Sequence, residues 1–136
     1  MKLAKYAGLA GALLTSLPAH AAPVPDADLS AAYKSCMAGK EAMQQNLFAM
    51  LGCTQSELTL RNTELNRVYD ILMASLDGDQ RPRLLTAQKA WTAFRDADCD
   101  QKNSSGETDD LVGRANCVLQ MTIERTEEIQ DMLDDD

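Results

Sequence analysis

The sequence predicts an all-α fold: a small disulfide-stapled helical bundle with three main helices plus a shorter N-terminal helix. Three observations predict it. Apolar residues recur at helical spacing through most of the chain beyond Ser30. No run rich in Val, Ile and Thr alternates with the two-residue period of a strand. Four cysteines, Cys36, Cys53, Cys99 and Cys117, form an even set in a chain that begins with an export signal.

Residues 1–21 read as a secretory signal peptide. Met1-Lys2-Leu3-Ala4-Lys5 is a basic start, Ala7 to Leu17 is an apolar run too short to span a bilayer, and Ala19-His20-Ala21 is a small-x-small cleavage site. No cysteine follows the apolar run before Cys36, which argues against a lipid anchor. The expected product is periplasmic or secreted, with no membrane anchor after cleavage. Losing Lys2 and Lys5 with the signal takes the formal charge from −8 to −10. So acidic a domain repels nucleic acid and anionic lipid and attracts basic partners. The single histidine, His20, leaves with the signal. Without it, Ser-His and Cys-His nucleophiles, histidine general bases and nearly all zinc or copper sites are excluded. In an oxidising compartment the cysteines read as two disulfides with three possible connectivities. Cys36–Cys53 and Cys99–Cys117 are favoured because each joins elements adjacent in sequence. A four-thiolate metal site is the poorer reading, since no two cysteines make a C-x-x-C knuckle.

Residues 22–35 comprise a leader with two prolines and the start of the first helix, capped by Asp28 or Ser30. Gly39 interrupts that helix, and Met43, Leu47, Met50 and Leu51 make a second apolar stripe of core type. Thr54-x-x-Glu57 fits a capping box and so a fresh helix start. Leu58, Leu65, Val68, Tyr69, Leu72 and Leu76 then form a long stripe, closed by Asp77-Gly78-Asp79. Pro82 suits the first turn of the next helix. There Leu84, Ala87, Trp91 and Phe94 share a face, and Trp91, the only tryptophan, is expected at the centre of the core. Residues 100–110, polar around Asn103-Ser104-Ser105-Gly106, form the one sizeable loop. The last helix starts near Asp109 or Asp110, with Leu111, Ala115, Val118, Leu119, Thr122, Ile129 and Leu133 as its stripe.

Asp96-x-Asp98-x-Asp100 with Glu107 resembles a calcium loop, but Gln101 stands where the loop needs glycine and Lys102 takes a ligand position. No metal and no cofactor are expected. Arg95 and Asp96 beside Trp91 read as a structural ion pair or a bridge between helices. Asn66 and Tyr69, polar groups on an apolar stripe, are expected to bond across the bundle. No pair of carboxylates stands out for acid–base chemistry.

Leu65-Asn66-x-x-Tyr69-x-x-Leu72, Ala87-Gln88-x-Ala90-Trp91-x-x-Phe94-Arg95-Asp96-Ala97-x-Cys99 and Cys117-x-x-x-x-Thr122-x-x-Arg125 resemble the motifs of the LprI-type lysozyme inhibitor N-terminal domain family. With Cys36 and Cys53 the likeness covers about residues 36 to 130, and the LprI-like domain is expected over residues 36–133. The resemblance implies an exported, helical, disulfide-bonded protein whose activity is lysozyme inhibition. It also implies a motif core of Asn66, Tyr69, Gln88, Trp91, Phe94, Arg95, Asp96 and Arg125. C-type lysozymes are strongly basic, so an acidic inhibitor gains association rate through steering. On charge and loop position, Asp98, Asp100, Glu107, Asp109 and Asp110 are the expected partner contacts. The expected function is a non-enzymatic binding protein that occludes a basic enzyme. The alternative is an envelope structural or adaptor module with an unrelated protein partner.

Overall fold

The computed structural model describes residues 29–107 and 109–135. Their elements, in order, are α1 (Ala31–Met37), α2 (Lys40–Met43), α3 (Leu47–Ser75), α4 (Gln80–Lys102) and α5 (Asp110–Asp134). No strand occurs among the described residues. The signal-peptide reading and most of the leader fall on residues 1–28, outside the described residues.

Ser30 is the cap of α1. Its hydroxyl accepts from the Tyr33 amide at 3.0 Å and donates to Glu57 on α3. Gly39 ends that helix and opens the single turn of α2. Gln45 then takes a left-handed φ of 57°, which turns the chain, and Asn46 caps α3 by accepting from the Phe48 and Ala49 amides.

The capping box expected at Thr54-x-x-Glu57 is not one. α3 runs unbroken through both residues from Leu47. Their side chains have distant partners instead. Thr54 Oγ1 lies 3.0 Å from Asn116 Oδ1 on α5 and 3.1 Å from Met50 O. Glu57 reaches back to the cap of α1, accepting from the Ser30 amide at 3.0 Å and from Arg61 Nε at 2.8 Å.

α3 closes at Leu76, whose carbonyl accepts from Arg81 Nε at 2.7 Å, and Gly78 carries the turn at φ 49°. Pro82 lies in the first turn of α4, as expected. α4 runs on to Lys102, so the connection to α5 is residues 103–109, shorter than the 100–110 expected. Asn103 Nδ2 donates to Cys99 O at 2.9 Å and holds the end of α4.

α3 and α5 form the principal pair, α4 lies against α5, and α4 makes little backbone approach to α3. The core is Leu65, Val68 and Leu72 of α3, Leu84 of α4 and Ile129 of α5, continued along α5 by Val112, Val118, Leu119 and Ile123. Burying each such side chain is worth about 1.5–3 kcal/mol. Several core expectations fail: Met43 of the second stripe is 72 % exposed, and Ala87 on the expected Trp91 face is exposed as well. Leu111 is exposed and its neighbour Val112 is buried, a shift of one position that turns the face by about 100°. Trp91 is only partly buried and packs against the edge of the core, whose fully buried centre is Val68, Leu119 and Ile129.

Two disulfides staple the bundle as expected. Cys36–Cys53 joins α1 to α3 with Cα atoms 5.7 Å apart, and Cys99–Cys117 joins α4 to α5 at 5.6 Å. Each closes a loop that stabilises by about 3 kcal/mol on the chain-entropy account. No described helix is long and apolar enough to cross a membrane.

Candidate functional site

Two regions of α4 collect the residues that the sequence singles out. The first lies around Trp91. The inward face of α4 is Leu84, Gln88, Trp91, Arg95 and Cys99, polar at its middle. α5 answers with Arg125, which is buried. Its Nε donates to Gln88 Oε1 at 3.0 Å and its Nη1 to Glu128 Oε2 at 2.8 Å. Arg95 pairs with Asp96 at 2.8 Å and lies 3.3 Å from Thr122 Oγ1, bridging α4 to α5. The guanidinium carbons of Arg95 and Arg125 lie 5.0 and 5.8 Å from the Trp91 ring centroid. Such cation–π contacts contribute about 0.5–2 kcal/mol each. Gln88, Trp91, Arg95, Asp96 and Arg125 thus form one network.

The other three motif residues stand apart from that network. Phe94 was expected on the Trp91 face but is 61 % exposed, because the inward positions beside Trp91 are Gln88 and Arg95. Asn66 is expected to bond across the bundle, yet its side chain is exposed and makes no hydrogen bond among the described residues. Tyr69 packs against the core, but its hydroxyl is buried without a partner among the described residues.

The second region is a groove of about 670 Å³ running between α4 and α5, closed on one side by the start of α1. Phe94, Asp98 and Lys102 line it from α4, Met121 and Glu124 from α5, and Tyr33 from α1. Tyr33, Met121 and Glu124 had no signal in the sequence: they belong to three separate segments, and only the packing joins them.

Of the five acidic residues expected as partner contacts, only Asp98 lines this groove; Asp100 falls on another face of α4, and Glu107, Asp109 and Asp110 belong to the connection into α5 and its first residue. Asp98 accepts from Lys102 Nζ at 2.6 Å, and Asp100 pairs with Arg114. That hydrogen bond with Asp100, reinforced by its charge, holds the Arg114 pKa above the ordinary arginine value. Asp110 accepts from the Ser105 hydroxyl at 2.9 Å and the Gly106 amide at 2.7 Å, fixing the loop. Glu107 and Asp109 have no ion-pair partner among the described residues, and both are exposed. Asp96, Asp98 and Asp100 sit on a continuous helix, a shape that cannot wrap a cation as a calcium loop does. Among the described residues, no group of three or more His, Cys, Asp or Glu could hold a metal ion.

A family model described as "Lysozyme inhibitor LprI" matches residues 36–129. No curated protein and no solved structure matches the chain. The matched segment runs from the first cysteine in α1 to the fully buried Ile129 of α5 and takes in both disulfides and the whole Trp91 network. With well over half of its length matched, the chain belongs to the lysozyme inhibitor LprI family.

Proposed function

We propose that this chain is an exported lysozyme-inhibitor-type protein that occludes a basic enzyme without doing chemistry on it. The observation that carries the reading is the groove between α4 and α5, with an exposed aromatic ring, Phe94, and the carboxylates of Asp98 and Glu124 on its lining. An inhibitor needs a rigid surface, an apolar anchor and complementary charge. Phe94 supplies the anchor. Asp98 and Glu124 flank it, and Asp100, Glu107, Asp109 and Asp110 continue the charge around the loop. Glu107 and Asp109 are the leading charges, since no cation among the described residues pairs with them. Family membership supports the same reading, and two disulfides suit a compartment that oxidises thiols.

The test is an activity assay of a c-type lysozyme with the purified mature protein. Wild type should inhibit, and inhibition should weaken as ionic strength rises from low to physiological values. Glu107→Lys with Asp109→Lys should weaken it at least tenfold, about 1.4 kcal/mol, and Phe94→Ala by a comparable factor, with helicity retained. Inhibition untouched by all three substitutions would remove the groove from the account.

A further inference from the structure

The motif residues that the proposed inhibition leaves unused meet on another face of α4. Asn62, Asn66 and Tyr69 from α3, with Gln88, Trp91 and Arg95 from α4, line a cleft of about 290 Å³ between the two helices. We infer that this cleft is a second binding site, and that its ligand is a neutral saccharide unit.

The chemistry of the lining decides the class. The cations of the network are already answered: Arg95 by Asp96, Arg125 by Glu128. Lys89 is the remaining charge on the lining. What stays unengaged is neutral. The side chains of Asn62 and Asn66 make no hydrogen bond among the described residues, and Gln88 commits only its Oε1 there, to Arg125. Each free carboxamide offers donors and an acceptor side by side, the complement of sugar hydroxyls, which also donate and accept. Trp91 adds apolar surface to the wall. Tyr69 adds the only buried side-chain polar atom without a partner among the described residues, a hydroxyl that a ligand oxygen would satisfy after a small shift of the wall. The volume lies near the lower end of the range for small-ligand clefts, about 300–1,000 Å³, which suits a single ring. This site is independent of the groove and of the inhibitor reading.

Trp91 is the only tryptophan, so its fluorescence reports this cleft alone. The mature protein is titrated separately with maltotriose, chitotriose and sodium acetate, following Trp91 emission. At least one saccharide should give a saturable change, and acetate should give none. Asn66→Ala, at an exposed position where folding is not at risk, should raise the apparent Kd at least tenfold. Tyr69→Phe should do the same while leaving thermal stability equal or higher, because it removes an unpartnered hydroxyl. No saturable change with either saccharide up to its solubility limit would overturn the site. So would a response to acetate alone, or a saccharide response unchanged in both variants.

Discussion

The two halves of α4 are fastened to α5 by different physics. From Leu84 to Arg95 the link is a partly buried polar network: Arg125 to Gln88, Arg95 to Thr122, and two guanidiniums against Trp91. From Asp98 to Lys102 it is one covalent bond, Cys99–Cys117, surrounded by exposed ion pairs. A hydrogen-bonded network fixes residue identity, because each member needs its partner's geometry. A disulfide fixes only its two cysteines. The network half of α4 is therefore the less tolerant of substitution, while the stapled half can carry charge without endangering the fold.

Removing the staple should have the largest effect. Cys99→Ala with Cys117→Ala should lower stability by about 3 kcal/mol in a denaturant melt. Hydrogen exchange should quicken in the Asp98–Lys102 half far more than in the Leu84–Arg95 half. Uniform acceleration along α4 would erase the distinction between the halves. Arg125→Ala comes next, at about 2–3 kcal/mol, because it strands Gln88 and takes a cation from Trp91. For a domain of this size that is a fall of about 10–15 °C in Tm. Lysozyme inhibition should survive at temperatures where the variant stays folded, since Arg125 does not line the groove.

Much of this division could be read before the fold was known, and the rest could not for definable reasons. The three long helices, their turns and the disulfide pairing follow from local signals: apolar period, Gly78, Pro82 and cysteine spacing. Thr54 and Glu57 misled because a cap motif is local, whereas their real partners, Asn116 and Ser30, are far away in sequence. Phe94 misled because an aromatic residue on a helix looks the same whether it fills a core or lines a groove. Of the five acidic residues, sequence placed them together at one end, but Lys102 and Arg114 bind two of them, and only packing reveals which remain open.

The α1–α3 junction uses both devices at once, Cys36–Cys53 beside the buried Glu57, and so tests how they combine. Burial raises the Glu57 pKa, but the hydrogen bonds from the Ser30 hydroxyl and amide and from Arg61 outweigh it and hold it below the ordinary glutamate value. A carboxyl depressed on folding gives stability that is whole above its unfolded pKa, about 4.3, and is lost as pH falls through the lower folded value. Glu57→Gln should therefore be less stable than wild type by about 1–2 kcal/mol at pH 7. The gap should stay constant down to about pH 5 and close below about pH 4. Glu64, lowered by Arg67, acts in the same direction but on an exposed pair, so its share is small. A gap that widens on acidification would mean that Glu57 does not hold α1 through its charge.

The smallest effect is the sharpest test of the comparison. Asp100 and Arg114 are both largely exposed, and an exposed pair is worth about 0–1 kcal/mol before salt screens it. Asp100→Asn should lower the unfolding free energy in a urea melt by no more than about 0.5 kcal/mol and by nothing measurable at 1 M salt. On the proposed reading, lysozyme inhibition should still weaken, because one carboxylate of the acidic set proposed to meet the partner has gone. A large stability loss with inhibition intact would reverse the assignment, making the ion pairs of the stapled half structural and leaving the partner face elsewhere. A small loss with weakened inhibition is what a scaffold held by Cys99–Cys117 permits, since the covalent bond carries the fold and leaves the carboxylates to the partner.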